Sequence, residues 1–273
     1  MKYTKKSLKY VFGNFGYLIL FGLVPAVFLA SSLDVATLSK VLRSYFSGNP
    51  HAEFYEIFHA VSIFNFHSAL AAIAQIVGAI LVVFCVSLMM AFIEKHMRIG
   101  KRTWNGMFAK LNDNLISTGG MTLLFAVIYE VWALVVSALL FLCCKLDLRV
   151  AVYVSTLVVF YGMHVVLLYV VSVFYLWLPC LQITGFRPFE ALRYSYQLMG
   201  KAKWRVIREQ FFSLVIAEVL LATVSIFVRG YFAVFALATV VFAGMILIFV
   251  ARMQVVYFEC AQIERADLEK KFY

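Results

Sequence analysis

Six long apolar runs, separated by shorter polar and basic segments, dominate this chain of 273 residues. Each run is close to the roughly 20 residues that a helix needs to cross the hydrocarbon core of a bilayer. None alternates apolar and polar residues at every second position, so membrane-spanning strands are not indicated. The pattern predicts an all-α, polytopic membrane protein with six transmembrane helices, at 15–33, 69–93, 121–144, 150–178, 211–228 and 232–251.

Three shorter segments combine an apolar stripe with basic residues, and each precedes two of the runs. Their stripes follow helical spacing and consist of Leu8, Val11, Phe12 and Phe15; of Trp104, Met107, Phe108, Leu111 and Leu115; and of Phe189, Leu192, Tyr196 and Met199. Basic amphipathic helices lie at membrane surfaces. We therefore predict one integral membrane domain, 1–273, made of three units of an amphipathic helix plus two spans, at 1–98, 99–184 and 185–273.

The loop at 34–68 is the longest segment between two runs and is predicted to be extracytoplasmic. Leu38, Leu42 and Tyr45 indicate a short helix, and Ser47-Gly48-Asn49-Pro50 has the composition of a turn. A second amphipathic piece follows at 53–64. Its Glu53, Glu56 and His59 drift around a helix rather than converge, which favours a solvated face over a metal site.

Basic residues are distributed unevenly between the two ends of the predicted spans. Nineteen of the 24 Lys and Arg residues fall on the side of the two termini and of the loops after the second and fourth spans, with Arg252 counted just after the sixth span. The positive-inside rule then predicts that both termini are cytoplasmic. We expect anionic lipid headgroups to be the partners of Lys5, Lys6, Lys9, Lys101, Arg102, Lys110, Arg187, Arg193, Lys201 and Lys203.

Composition excludes the soluble classes of protein, because 64% of the residues are hydrophobic and only 14% are charged. The net charge of +10 does not indicate nucleic-acid binding, since no recognisable binding module accompanies it. The five cysteines have no metal-ligand spacing and are interpreted as apolar fillers. No cofactor and no metal is predicted.

Two stretches resemble a known family. FEALRYSYQLMGKAKWRVI at 189–207 and YFECAQIERADLEKKF at 257–272 are similar to motifs of a superfamily of six-span bacterial and archaeal membrane proteins. It includes the membrane-anchor domain of some glycerophosphodiester phosphodiesterases and free-standing relatives of unknown function. The resemblance implies the six-span fold. It does not imply phosphodiesterase activity, which belongs to a separate soluble barrel in the fused members.

Three ionisable residues fall within the predicted spans: Glu130, His164 and Glu218. Glu130 and His164 are each 17 residues from Asp147, in the turn between spans three and four, so they are expected at matching depth. Ionisable groups in lipid are costly and often functional. They could form one cluster that moves protons or binds a solute, or each could be hydrogen-bonded and serve helix packing.

No catalytic motif such as GxSxG, HExxH or a phosphate-binding loop occurs. The sequence therefore favours a non-enzymatic membrane protein, a scaffold or partner-binding module that aids envelope or lipid processes. The alternative is a small-solute or ion transporter that uses the intramembrane Glu and His residues. An intramembrane lipid-modifying enzyme has the least support.

Overall fold

Helices form nearly all of the described fold. The computed structural model describes residues 1–46, 52–64, 69–200, 202–228 and 230–268, and this part of the chain contains no strand. The predicted all-α class is therefore confirmed. The helices are α1 Lys2–Gly13, α2 Phe15–Ser32, α3 Val35–Phe46, α4 Phe54–Val61, α5 Ala69–Ile99, α6 Met107–Cys143, α7 Arg149–Phe174, α8 Trp177–Thr184, α9 Pro188–Met199, α10 Lys203–Phe227 and α11 Tyr231–Cys260, followed by a 3-10 turn at Ala266–Leu268.

Six helical segments are long and apolar enough to cross a membrane, which confirms the predicted number of spans. They are α2, α5, α6, the α7–α8 pair, α10 and α11. Pro179, in the first turn of α8, lies just after the break between α7 and α8, at a place where its missing N–H costs little. These segments indicate a multi-pass integral membrane protein.

Several helices extend beyond their apolar runs. The middle amphipathic segment was predicted as a separate helix, and this is wrong: from Met107 onward it is the first part of the 37-residue helix α6. Likewise α10 begins at Lys203, and α11 continues to Cys260. Arg252, assigned above to the basic segment after the sixth span, thus lies inside α11 and is 1% exposed. Helix formation needs no apolar side chains, and Lys, Arg, Glu and Gln all favour it.

The bundle has two ends. We call the end where Met1 and Cys260 lie the terminal face, and the end with the turn at 144–148 the opposite face. The main core lies in the half near the terminal face, where Tyr175, Phe92, Tyr257 and Phe258 are almost fully buried. Here α2 packs along α11 so closely that a Cβ atom at Gly22 would lie 2.7 Å from Leu247 Cδ2.

The segment 34–68 is not an extended loop in its described part. Helices α3 and α4 form at the predicted places and pack on each other. Helix α3 also packs on α10, and α4 packs on α6. The predicted turn at 47–50 lies outside the described residues. The side chains of Lys40 and Glu56 form a salt bridge between α3 and α4. The hydrogen bond from Lys40 lowers the pKa of Glu56 below its ordinary value.

Helix α1 is fastened to the bundle through two carboxylates. The buried Glu209 of α10 accepts hydrogen bonds from the backbone N–H groups of Tyr3 (3.3 Å) and Thr4 (2.6 Å) and from Thr4 Oγ1 (2.8 Å). These N–H groups belong to the first turn of α1, which has no helical partners for them. Glu259 of α11 forms salt bridges with Lys2 and Lys6. Its hydrogen bond and charge raise the pKa of Lys2.

We expect Glu209→Ala to release α1 from the bundle. The substitution removes three hydrogen bonds to a buried charged acceptor, with an expected loss of roughly 2–4 kcal/mol in the docking of α1. Hydrogen exchange of the amides in α1, measured on the purified protein in detergent, should become faster in the variant. Glu264→Ala removes an exposed carboxylate near the same end and is the matched control. Unchanged exchange in Glu209→Ala would contradict this role.

Candidate functional site

His164 of α7 and Glu218 of α10 meet inside the bundle. His164 Nε2 lies 2.6 Å from Glu218 Oε1, and His164 Nδ1 lies 2.8 Å from the carbonyl oxygen of Phe160. The imidazole is 1% exposed, whereas the Glu218 side chain is 29% exposed. Each group therefore supplies a polar partner for the other where the apolar surroundings supply none.

Aromatic residues enclose the imidazole. The Trp132 and Phe160 rings contact His164 edge to face, with centroid distances of 4.7 and 4.4 Å. Trp132 is itself held in place, because its Nε1–H donates to the carbonyl oxygen of Met163 at 2.7 Å. Such contacts fix the ring orientation and leave Glu218 as the more exposed member of the pair.

Glu130 of α6 has different partners. Its carboxylate accepts hydrogen bonds from Ser62 Oγ (2.9 Å) and from the backbone N–H groups of Ile63 (2.9 Å) and Phe64 (3.3 Å). The structure thus joins His164 directly to Glu218, while Glu130 binds the end of the segment that follows α4. Of the three predicted intramembrane residues, two form a pair and the third has its own site.

Glu130 holds the end of the α4 segment inside the bundle. Glu130 precedes the end of α6 at Cys143 by 13 residues, or about 20 Å along the helix. Near the opposite face, Glu53 and Cys144 line one surface cavity of about 290 Å³, so α4 begins beside the end of α6. It ends next to Tyr129, whose hydroxyl donates to the carbonyl oxygen of Val61 at 2.9 Å. Non-helical backbone at such depth needs protein partners, and Glu130 provides them.

The predicted lipid-facing basic residues lie near the terminal face in several environments. Lys6 binds Glu259, Arg102 donates to the carbonyl oxygen of Gly13 at 3.1 Å, and Lys203 Nζ lies 3.7 Å from the centroid of the Tyr169 ring. Four others are exposed: Lys5, Lys9, Lys101 and Arg193. Arg187 is exposed at the start of α9, and its backbone N–H donates to Glu190. Lys201 lies outside the described residues, as does the side chain of Lys110.

Large aromatic side chains with much exposed surface accompany these basic residues. In α1 and α9 they lie on the side away from the packed positions, which include Tyr3, Tyr10 and Met199. The outward-facing members form a set that we call the aromatic rim: Phe12, Phe15, Trp104, Phe108, Phe189, Tyr196 and Trp204, each at least 43% exposed. Aromatic and basic residues together are typical of a membrane interface.

Three buried charged residues near the terminal face escaped the sequence analysis. Glu94 of α5 lies 3.3 Å from Arg98 Nη1, Glu209 binds α1 as described above, and Arg252 donates to Ser213 Oγ at 2.6 Å. Arg252 borders the last apolar run, so its sequence position is typical of a surface charge. For Glu209, the sequence does contain a signal. If the helical pattern is extended back to Lys203, then Val206, Glu209, Gln210 and Ser213 lie near one face of α10.

The chemistry of the candidate site is hydrogen bonding and proton sharing. Among the described residues, no group of three or more His, Cys, Asp or Glu side chains could hold a metal ion. No protein-family model matches the chain, and no curated protein or solved structure is significantly similar to it.

We expect the His164–Glu218 pair to show strong coupling in a double-mutant cycle. Glu218→Leu leaves His164 Nε2 buried without its hydrogen-bond partner, at an expected cost of about 1–3 kcal/mol. His164→Phe together with Glu218→Leu removes both polar groups, so the double variant should be more stable than the two single effects predict. Thermal unfolding in detergent measures all four proteins. Glu218→Gln keeps an amide group that can hydrogen-bond to Nε2 and serves as the conservative control. Additive single effects would show that the contact contributes nothing.

Proposed function

We propose that this protein is a non-enzymatic scaffold or partner-binding module of the bacterial inner membrane that aids envelope or lipid processes. The observation that carries the proposal is the aromatic rim at the terminal face. Its rings are exposed on segments whose other sides are packed against the bundle. Side chains of this kind, placed beside Lys and Arg, suit contact with lipid headgroups and with a membrane-associated protein.

The contacts of the intramembrane ionisable residues support the same function. Glu130 binds the backbone after α4, and His164 binds Glu218 and the carbonyl of its own helix. Each of the three therefore contributes to the packing of the bundle, which is the alternative to a solute site that the sequence left open.

The proposed orientation has the terminal face in the cytoplasm. The exposed Lys5, Lys9, Lys101 and Arg193 at this face support it through the positive-inside rule, with anionic headgroups as their partners. The number of Lys and Arg residues assigned to this side falls from 19 to 18, because Arg252 is buried in α11. A reporter fused after Tyr273 should be active only in the cytoplasm, and activity on the outer side would reverse the orientation.

Membership of the six-span superfamily and the threefold repeat remain part of this proposal. The two motifs at 189–207 and 257–272 support the first. For the second, α1 and α9 are short helices that each precede a long one, while the corresponding middle segment is continuous with α6. A single integral domain, 1–273, agrees with the contacts between the first and last helices.

A transporter is the second candidate, and one observation favours it. Glu218 is 29% exposed while its partner His164 is buried, so a proton could enter the pair from the Glu218 side. Proton uptake by proteoliposomes that is lost in Glu218→Gln would favour this candidate.

Site-specific photo-crosslinking in native membranes tests the scaffold proposal. A photoreactive residue in place of Phe189, 85% exposed on the aromatic rim, should give a discrete crosslinked protein band. The same residue in place of Val150, 75% exposed near the opposite face, is the matched control. Crosslinks to lipid alone from Phe189, or the same protein bands from both positions, would contradict a partner-binding rim.

A further inference from the structure

A groove with a positive lining lies at the terminal face, between the segment that joins α5 to α6 and the turn at Ala266–Leu268. It is a surface cavity of about 640 Å³. Its basic lining residues are Lys101 and Arg102, both exposed. The sequence analysis treated these two residues as part of a diffuse basic surface, whereas the structure places them on one wall of a defined cavity.

The walls of the groove are held by specific contacts. Gly100 has a φ of +73°, and a Cβ atom there would lie 3.0 Å from the carbonyl oxygen of Ala266, so the close approach of the two segments requires glycine. Beyond it, Trp104 packs against Phe21 of α2 and Phe92 of α5, at centroid distances of 5.3 and 6.2 Å. Because the joining segment is fixed at both ends, little ordering is needed when a ligand binds.

The acidic residue in the groove is already neutralised. Asp267 accepts two hydrogen bonds from Arg265, at 3.1 Å from Nε and 2.7 Å from Nη2, and both side chains are less than a tenth exposed. This bidentate pair has no net charge. The charges of Lys101 and Arg102 therefore remain in excess. Arg102 uses one N–H on Gly13, and its guanidinium has further donors.

A buried histidine lines the same groove. His96 is 6% exposed, and its Nδ1 lies 3.0 Å from the hydroxyl oxygen of Tyr10. Burial raises the pKa of Tyr10, so the phenol keeps its proton. We assign that proton to the bond with Nδ1, so a neutral imidazole carries its own proton on Nε2.

The lining thus combines the positive charges of Lys101 and Arg102 with the polar residues His96 and Thr103, while its one acidic residue, Asp267, is already paired. This combination suits a compact oxyanion. Lys and Arg recognise phosphate through charge-assisted hydrogen bonds. The adjacent Trp104 and Phe108 are exposed and belong to the aromatic rim, so acyl chains of a bound lipid could lie against them.

We propose that this groove is a binding site for a phosphate group, carried by a membrane phospholipid or by a small phosphorylated solute. The inference rests on the proposed position of the terminal face at the membrane surface. It deepens that proposal by naming one site and one chemical class of ligand. A phospholipid bound here would contact α5, the segment that joins α5 to α6, and the 3-10 turn together.

Binding of defined probes to the full-length protein in detergent tests the site. A short-chain phosphatidylglycerol and inorganic phosphate are titrated separately by calorimetry at physiological salt. Saturable binding of either probe, weakened about thirtyfold by Lys101→Gln with Arg102→Gln, is the expected result. Tighter binding of the lipid probe identifies a phospholipid as the ligand, and equal binding of the two probes identifies a phosphorylated solute.

Charge-matched variants outside the groove provide the control. Arg187→Gln with Arg193→Gln removes the same charge from α9, and screening should keep its effect within about twofold. Lys101→Gln alone decides the result if Arg102→Gln lowers the melting temperature through the lost bond to Gly13. No saturable binding of either probe, or equal losses in the groove and α9 variants, would overturn the site. The crosslinks from Phe189 would be unaffected by that outcome, so the scaffold proposal is tested independently.

Discussion

A polar group inside a lipid bilayer has no water to bond, so its partners must come from the protein. The backbone after α4 shows this constraint most directly. Ile63 and Phe64 are not helical, and their N–H groups donate to Glu130, about 20 Å below the end of α6. Glu130 thus supplies an acceptor for backbone that has left the helix inside the bundle. Together with the hydrogen bond from Tyr129 to Val61, it holds the end of the segment 52–64.

The same constraint organises the terminal face. Glu209 satisfies the first turn of α1, Glu259 binds Lys2 and Lys6, and Arg265 holds Asp267. The first two contacts join α1 to α10 and α11, and the third lies within the segment that follows α11. In the Glu259 and Arg265 contacts, opposite charges neutralise each other. Basic residues outside such pairs, such as Lys101 and Arg102, lie at the surface beside the aromatic rim. There they are available to bind a ligand.

The six spans could be predicted because an apolar run of about 20 residues has few other folded outcomes. Their ends could not, because the Lys, Arg and Gln residues in 203–210 and 252–260 continue a helix as readily as they begin a loop. Glu209 and Arg252 were missed for this reason. Each lies at the edge of an apolar run, where a charge usually signals solvent, and only tertiary packing buries it.

The sequence allowed a prediction of how deep the residues of the candidate site lie in the bundle, but not of which neighbours their side chains face. Equal spacing from Asp147 correctly matches α6 to α7, since Trp132 contacts His164. Glu130, two residues earlier, is rotated about 200° around the helix from Trp132. It therefore binds Ser62, Ile63 and Phe64 instead, and Glu218 of α10 becomes the partner of His164. Spacing along a helical hairpin determines the depth of a residue. The neighbour that its side chain contacts depends on how a third helix packs against the hairpin.

Water access to the His164–Glu218 pair tests most directly whether the intramembrane polar groups hold the bundle together. A cysteine in place of Met163, whose carbonyl oxygen accepts the Trp132 hydrogen bond, reports on this level of the bundle. The five native cysteines are replaced first. A closed, packed interior predicts no reaction with a membrane-impermeant maleimide added from either side, while a cysteine in place of the exposed Lys5 reacts from one side. Labelling of the Met163→Cys variant would reveal a water-filled path and contradict a purely structural role.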